Sequence, residues 1–279
     1  MLETAAETTN FPSEPPFIDW LLEESCITAD GKEVDCYMLD WIIDEEALEQ
    51  WALHIRRHYI RDDELKRASL LRGTDPASYL ICNRIPGTEG MEAQLRSGDF
   101  AEIVISDILQ FIDGYTVPRY KQHGRDDKRF SRTGVDVVAY MINDAEAPSE
   151  DDELVAIEVK SSVSKERGAD LISRINDAAS DSKKDPNRLP MTLEWMIDKC
   201  DNVNDEATLK ALLRFTKKGD YEFKEGYGSG VVASTLAAAE AISGVSSSQL
   251  GLSSDERLIV VHGSKLMGLV HELYSRCTR

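Results

Sequence analysis

The chain has 279 residues, of which 42% are hydrophobic and 30% are charged, and its formal net charge is −19 at pH 7. This length and apolar content predict one large or two small packed domains, and the lack of repeats, heptads or low-complexity segments excludes solenoids and coiled coils. The N-terminus lacks a basic flank and an apolar run, so we expect no signal peptide, no membrane segment and a cytoplasmic protein. Five cysteines without CxxC spacing indicate a reducing compartment and argue against structural zinc.

The predicted elements begin with an acidic α+β portion over residues 1–95. A hairpin turning at Asp30–Gly31 is predicted by SCITADGKEVDCYML, because Asp-Gly is a turn signal. A helix with Asp44 as cap and one apolar face is predicted by DEEALEQWALHIRRHYI. A second short helix, ended by Gly73, is predicted by DDELKRASLLRG.

Two histidines of the first helix have the spacing of a zinc helix. His54 and His58 are four residues apart, but Ile55 stands where a metalloprotease motif needs glutamate. We therefore expect packing or surface roles for both histidines.

The predicted elements of residues 96–279 alternate between helices and strands. In chain order they are a helix over SGDFAEIVISDILQFIDG closed by Gly114, a strand over Tyr115–Lys121, the strands GVDVVAY and LVAIEVK, the helix ADLISRINDAAS, a helical insert around 190–218, a turn-rich hairpin over Tyr221–Gly230, the strand RLIVVHG and a terminal helix. The string GYGSG fails as a dinucleotide-binding loop, so nucleotide binding is not expected.

The strands GVDVVAY and LVAIEVK place charged side chains among apolar ones. Asp136 lies in the first strand, and Glu158 and Lys160, two residues apart, share one face of the second. An acidic linker predicts a hairpin, so the three side chains can converge. Charges in apolar strands are costly unless they are paired or bind metal, and two facing carboxylates suit a hard cation such as Mg²⁺. The set therefore suits metal-assisted phosphodiester hydrolysis.

The tripeptide acidic-x-Lys is not specific by itself, because it occurs at several other places in this charged chain. Only Glu158-x-Lys160 ends an apolar run and follows an apolar strand with an embedded aspartate. The alternative is a buried ion pair of Lys160 with one carboxylate, which is less favoured because it leaves the other carboxylate uncompensated.

Charge is unevenly distributed along the chain. Residues 1–50 hold fourteen acidic residues against one lysine, so −13 of the net −19 lies there and the remainder is only weakly acidic. We expect this segment to bind a partner or to cover another part of the chain. A basic stretch follows between Tyr115 and Arg132, and its residues Lys128, Arg129 and Arg132 are candidates for contacting a phosphate backbone, although an ordinary solvated loop is the alternative.

The pattern resembles the PD-(D/E)xK superfamily of restriction-endonuclease-like nucleases, through Asp136 and Glu158-Val159-Lys160. The resemblance implies an α/β (α+β) fold, with a central mixed sheet flanked by helices and the nuclease domain over 96–279. It also implies catalysis by Asp136, Glu158 and Lys160. Mg²⁺ or Mn²⁺ would be held by the carboxylates and by the backbone carbonyl of Val159.

The superfamily often adds a glutamate on the first core helix, and Glu102 is the candidate for a further metal ligand and catalytic residue. Asp99-x-x-Glu102 also fits a helix capping box, which needs no metal. Both interpretations stay open.

Over most of its length the chain resembles the nuclease subunit (HamA) of the Hachiman anti-phage defence system. The matching strings are GDFAE, GVD, EVK, YGSGVVAS and LIVVHGSKLMGLV. The resemblance implies a metal-dependent DNA nuclease that works in a complex with a superfamily 2 helicase. The alternative is a noncatalytic nuclease-like module that binds nucleic acid or protein.

Overall fold

A computed structural model describes residues 15–164, 168–203 and 205–279. In chain order the described residues form six strands and nine α-helices: β1 (Leu21–Ile27), β2 (Glu33–Leu39), α1 (Glu45–Tyr59), α2 (Asp62–Leu71), α3 (Pro76–Asn83), α4 (Gly90–Asp107), β3 (Val137–Met141), β4 (Glu153–Ser162), α5 (Gly168–Ser182), α6 (Asp185–Asn202), α7 (Glu206–Phe215), β5 (Lys224–Ser234), α8 (Ala238–Ser243), β6 (Arg257–Gly263) and α9 (Leu266–Arg276). A single π-helical turn over Ile108–Ile112 extends α4.

The six strands form one mixed sheet in the order β1-β2-β6-β5-β4-β3. The four central strands β2, β6, β5 and β4 are parallel, and β1 and β3 pair antiparallel at the two edges. Helices cover both faces, because the parallel strands are apolar on both sides. The predicted mixed sheet flanked by helices is confirmed.

The first 95 residues and the rest of the chain share this sheet and one core. Strand β2 pairs with β6, and Trp51 of α1 packs against Phe100 of α4, with ring centroids 5.7 Å apart. Helix α1 also packs along α9. The division at residue 95 stays a prediction of the sequence, whereas the structure joins the two portions through β2 and β6.

Local signals in the N-terminal portion are confirmed. Gly31 adopts φ +87°, which the turn between β1 and β2 requires, and Gly73 adopts φ +63° after α2. The side chain of Asp44 caps α1 by accepting a hydrogen bond from the Ala47 backbone N–H at 3.1 Å.

The predicted strand over Tyr115–Lys121 is wrong. Among the described residues this segment makes a single bridge, in which Thr116 and Tyr140 exchange backbone hydrogen bonds of 2.8 and 2.9 Å. Pro118 has no N–H to continue a ladder, and the chain turns at residues 121–124.

The predicted hairpin over Tyr221–Gly230 is also wrong, because this sequence enters the central strand β5. Its glycines serve close packing rather than turning. A Cβ on Gly228 would lie 2.6 Å from Ile157 Cδ1, and a Cβ on Gly230 would lie 3.1 Å from Ile105 of α4. The helix and the neighbouring strand approach β5 closely for this reason.

No helix within the described ranges is long and apolar enough to cross a membrane.

Candidate active site

Helix α4 carries Glu102, and its length decides how that residue is used. The helix begins at Gly90, after the cap residue Glu89, so Asp99 and Glu102 lie well inside it. A capping box needs an exposed first turn, and the capping interpretation of Glu102 is therefore wrong. Asp99 instead binds both Nη atoms of Arg125 and accepts a hydrogen bond from the Tyr59 hydroxyl.

The hairpin of β3 and β4 brings Asp136 and Glu158 together, as the sequence predicts. Val137 pairs with Ile157, so Asp136, one residue earlier, lies level with Glu158. The Val159 backbone N–H donates to Asp136 Oδ2 at 2.9 Å and fixes this carboxylate at the end of the strand pair. The Val159 carbonyl as a metal ligand stays a prediction.

A lysine that the sequence reasoning did not single out lies between the first two carboxylates. Lys121 Nζ is 3.0 Å from Glu102 Oε1 and also binds Asp136 Oδ1. Gln122 Nε2 donates to the other oxygen of Glu102 at 2.8 Å. The loop before β3 therefore places an ammonium group where Glu102 and Asp136 face each other.

The third carboxylate, Glu158, is held by two other cations. Lys160 Nζ donates to Glu158 Oε1 at 2.6 Å and lies 2.8 Å from Asp181 Oδ2 of α5. Arg188 of α6 lies 3.3 Å from Glu158 Oε2. Lys160 stays partly exposed, whereas the Glu158 side chain is buried. Part of the Lys160 side chain thus reaches solvent beside a buried carboxylate.

A fourth carboxylate, Asp185 at the start of α6, completes the cluster. Asp185 is fully buried, and its Oδ1 lies 3.4 Å from Nη1 of Arg188. Within the described part of the chain, Asp185 Oδ2 is buried and accepts no hydrogen bond. Burial, followed by the nearby charges of Glu158 and Asp136, raises the pKa of Asp185 to about 7.

The other buried carboxyl groups respond to the same causes. Burial raises the pKa of Glu102 to about 8, opposed by Lys121 and increased by Asp136. Burial and the charge of Asp136 raise the pKa of Glu158. Although burial lowers the pKa of Lys121, Asp136 and Glu102 outweigh it and raise that pKa. Burial is thus the main reason that ionisation of these carboxyl groups is costly, and the negative charge of Asp136 adds to it for Glu102 and Glu158.

The chemistry of this donor set suits a divalent metal ion, although in the structure Lys121 lies between Glu102 and Asp136, and Glu102, Asp136 and Glu158 do not bring one oxygen each within 4.8 Å of one another. Carboxylate oxygens are the preferred ligands of Mg²⁺ and Mn²⁺, and a carboxylate oxygen of Asp185 is buried without a partner among the described residues. Raised carboxyl pKa values report a site where ionisation costs energy, which a bound cation would repay. Glu102, Asp136 and Glu158 are the residues that would hold the ion.

The basic stretch is divided between the interior and the surface. Three of its cations are buried in ion pairs: Arg119 with Asp107, Lys121 with Glu102 and Asp136, and Arg125 with Asp99.

The three basic residues proposed to contact nucleic acid lie in the loop before β3. Arg129 is exposed beside Asp127, and Arg132 stacks 4.1 Å above the Trp195 ring. Lys128 donates to the Ile81 carbonyl at 2.8 Å and lies 3.1 Å from Glu92. Arg129 and Arg132 are thus the more available for a phosphate, and their role stays a prediction.

Sequence reasoning missed four residues of the cluster: Lys121, Gln122, Asp185 and Arg188. Lys121 was placed in a predicted strand, and Asp185 and Arg188 come from a helix more than twenty residues after the motif. The one available signal was Asp185 preceding Pro186, which is typical of a helix start but not of a site.

Comparison with known proteins yields one match. No curated protein and no solved structure matches the chain. The family model described as HamA matches residues 15–277, which include every residue of the carboxylate cluster. Because that match spans nearly the whole chain, the chain belongs to the HamA family, the protein family of the Hachiman defence system.

Proposed function

We propose that this chain is a metal-dependent DNA nuclease that hydrolyses phosphodiester bonds. The observation that carries the proposal is the convergence of Glu102, Asp136 and Glu158, from three separate elements, beside the partly exposed amine of Lys160. A structural ion pair needs only one carboxylate for each cation, whereas the four carboxylates Glu102, Asp136, Glu158 and Asp185 face three cations, Lys121, Lys160 and Arg188, and so leave one negative charge unmatched for a bound ion.

Each side chain has a role that its position supports. Glu102, Asp136 and Glu158 would hold Mg²⁺ or Mn²⁺, which would supply Lewis acidity at the phosphate. Lys160 orients the attacking water and stabilises negative charge on the phosphate, since its Nζ lies between Glu158 and Asp181. The Val159 N–H and Gln122 keep Asp136 and Glu102 in fixed orientations.

We propose further that a superfamily 2 helicase is the partner that delivers DNA and controls the activity. The acidic residues of β1, Glu23 and Glu24, support a docking role rather than a shield over the site. Strands β1 and β4 are four strand spacings apart in the sheet, about 19 Å. Charges in β1 are therefore well beyond the Debye length of about 8 Å at physiological salt and would repel DNA at Asp136 only weakly.

A second candidate function is a noncatalytic nuclease-like binding module. The position of Lys121 favours it, because an internal ammonium between Glu102 and Asp136 can balance part of their charge without metal. The two candidates differ in what happens when Mg²⁺ and DNA are supplied. The presence of Lys160, and the partial exposure of the Lys160 and Asp136 side chains, favour the nuclease.

The test is DNA cleavage by the full chain, alone and with its co-purified helicase, on linear and circular duplexes in Mg²⁺ or EDTA. We expect Mg²⁺-dependent degradation that needs the helicase and disappears in Asp136→Asn. A matched control is Asp151→Asn, an exposed aspartate in the loop before β4, which should leave cleavage unchanged. Cleavage that persists in EDTA or in Asp136→Asn would refute the nuclease site, and intact DNA in all conditions would favour the noncatalytic module.

A further inference from the structure

A second group of metal-ligating side chains lies in the other half of the sheet, where the N-terminal hairpin meets β6. Glu24 on β1, Cys36 on β2 and His262 on β6 each direct one ligand atom to a common point, and these three atoms lie within 4.8 Å of one another. Cys36 and His262 are fully buried, and Glu24 is partly exposed. We propose that these side chains bind a structural zinc ion, with Cys26 as the fourth ligand.

The strand register explains why side chains from three strands come close together. Glu24 pairs directly with Cys36 across the antiparallel hairpin, so both point to the same face of the sheet. Cys26 is two residues beyond Glu24, and His262 is two residues beyond Val260, the partner of Cys36 on β6. Because side chains alternate with a period of two, all four ligands lie on one face of three adjoining strands.

The hydrogen bonds of His262 specify which ring nitrogen is free to bind a cation. Nδ1 lies 3.0 Å from the Thr235 carbonyl, which can only accept, so Nδ1 carries the proton. The remaining nitrogen, Nε2, lies 2.9 Å from Glu24 Oε2, which is also an acceptor. Two acceptors at this distance need either a shared proton or a metal ion that both can bind. An imidazole that donates Nδ1–H to a backbone carbonyl and presents Nε2 is the usual arrangement of a metal-bound histidine.

The chemistry of the four ligands favours zinc over magnesium. Thiolate sulfur and imidazole nitrogen are ligands for Zn²⁺, whereas Mg²⁺ prefers oxygen. The thiolates of Cys26 and Cys36 and the carboxylate of Glu24 carry three negative charges against the two positive charges of zinc, which leaves the filled site with a net charge of −1. Zinc binding would release the protons of both thiols to solvent, because zinc binds cysteine as the thiolate.

This site fastens the N-terminal hairpin to the rest of the sheet, since its ligands come from β1, β2 and β6. The spacing of the cysteines in the sequence does not reveal this site. Cys26 and Cys36 are ten residues apart and His262 lies at the far end of the chain, so only the sheet brings them together. The proposal is independent of the nuclease site, because the two groups lie at opposite halves of the sheet.

The alternative is an ordinary ion pair between a protonated His262 and Glu24, with both thiols merely packed. Metal analysis separates the two. The full chain, without a polyhistidine tag and kept reduced, should contain roughly one zinc ion per chain by mass spectrometry of its metals. Cys36→Ser and His262→Gln should lose this zinc, whereas Cys200→Ala, a buried cysteine in a different cluster, should retain it.

Cobalt spectroscopy keeps the test decisive if a variant fails to fold. After zinc is removed, Co²⁺ added to the wild-type chain should produce thiolate-to-cobalt charge-transfer bands and the visible bands of a tetrahedral ion. A wild-type chain without zinc and without these bands would overturn the proposal. Zinc retained in a folded Cys36→Ser protein would overturn it as well. Zinc chelation should also lower the melting temperature of the wild type but not that of Cys36→Ser.

Discussion

Replacing Lys121 by methionine should make the cluster bind divalent metal more tightly. The ammonium group of Lys121 contacts both Glu102 and Asp136, the two carboxylates that would hold the ion. Two unit charges 4 Å apart interact by about 4 kcal/mol at an effective dielectric constant of 20, and a divalent ion doubles this repulsion. If the substitution removes even about 1.4 kcal/mol of this repulsion, the affinity of the cluster for the divalent ion rises tenfold. We therefore expect at least a tenfold increase.

The same substitution should destabilise the metal-free protein. Removing one partner of a buried ion pair costs about 3–5 kcal/mol when the other charge stays ionised. Glu102, whose pKa is already raised to about 8, can instead take up a proton and reduce that cost. Added Mn²⁺ should then restore the melting temperature, because a ligand that binds only the folded state stabilises it.

The assay is titration of Mn²⁺ into the full chain, followed by the electron paramagnetic resonance signal of free Mn²⁺, together with melting curves. Lys217→Met, at an exposed lysine remote from the cluster, is the matched control and should change neither quantity. Weaker Mn²⁺ binding by Lys121→Met than by the wild type would show that Lys121 supports the metal rather than competes with it, and the reasoning would be wrong.

Three further predictions concern single groups of the site. Glu158→Ala should abolish Mg²⁺-dependent cleavage without unfolding the chain, because Lys160 keeps Asp181 as a partner and Arg188 keeps Asp185. Full activity of this variant in the cleavage assay would exclude Glu158 from the site. Burial raises the pKa of Glu102 in the folded protein to about 8, above its unfolded value. The metal-free protein should therefore lose stability as pH rises from about 4.5 to 8, by up to about 1.4 kcal/mol per pH unit for this group. The melting temperature of Glu102→Gln should depend less on pH than that of the wild type. Reversing the charges of Arg129 and Arg132 should weaken DNA binding and lower its salt dependence by roughly one unit per lost phosphate contact, whereas an unchanged slope in binding titrations would mean that this loop is only solvated.

Part of the site could be predicted because it depends on local periodicity. The period of two in LVAIEVK places Glu158 and Lys160 on one face, and the hairpin with GVDVVAY brings Asp136 level with them. These relations need only strand geometry and a short connection, both of which the sequence contains.

Residues that join the site from loops and distant helices could not be predicted this way. Lys121 follows Pro118 in an irregular segment with no period, and Asp185 begins a helix that packs back onto the hairpin. Helix α4 extends upstream through Ser97-Gly98, which is usually a break, and this extension removed the capping interpretation of Glu102. The sequence does not predict strand β5, because its glycines locally favour turns. In the structure they allow close packing of neighbouring elements.

The most direct measurement of the metal site is anomalous diffraction from crystals of the full chain soaked in Mn²⁺. We predict a manganese peak within bonding distance of carboxylate oxygens of Glu102, Asp136 and Glu158, beside the amine of Lys160. The proposed metal site would be contradicted by a Mn²⁺-soaked crystal that shows no peak at these carboxylates and in which Lys121 still bridges Glu102 and Asp136.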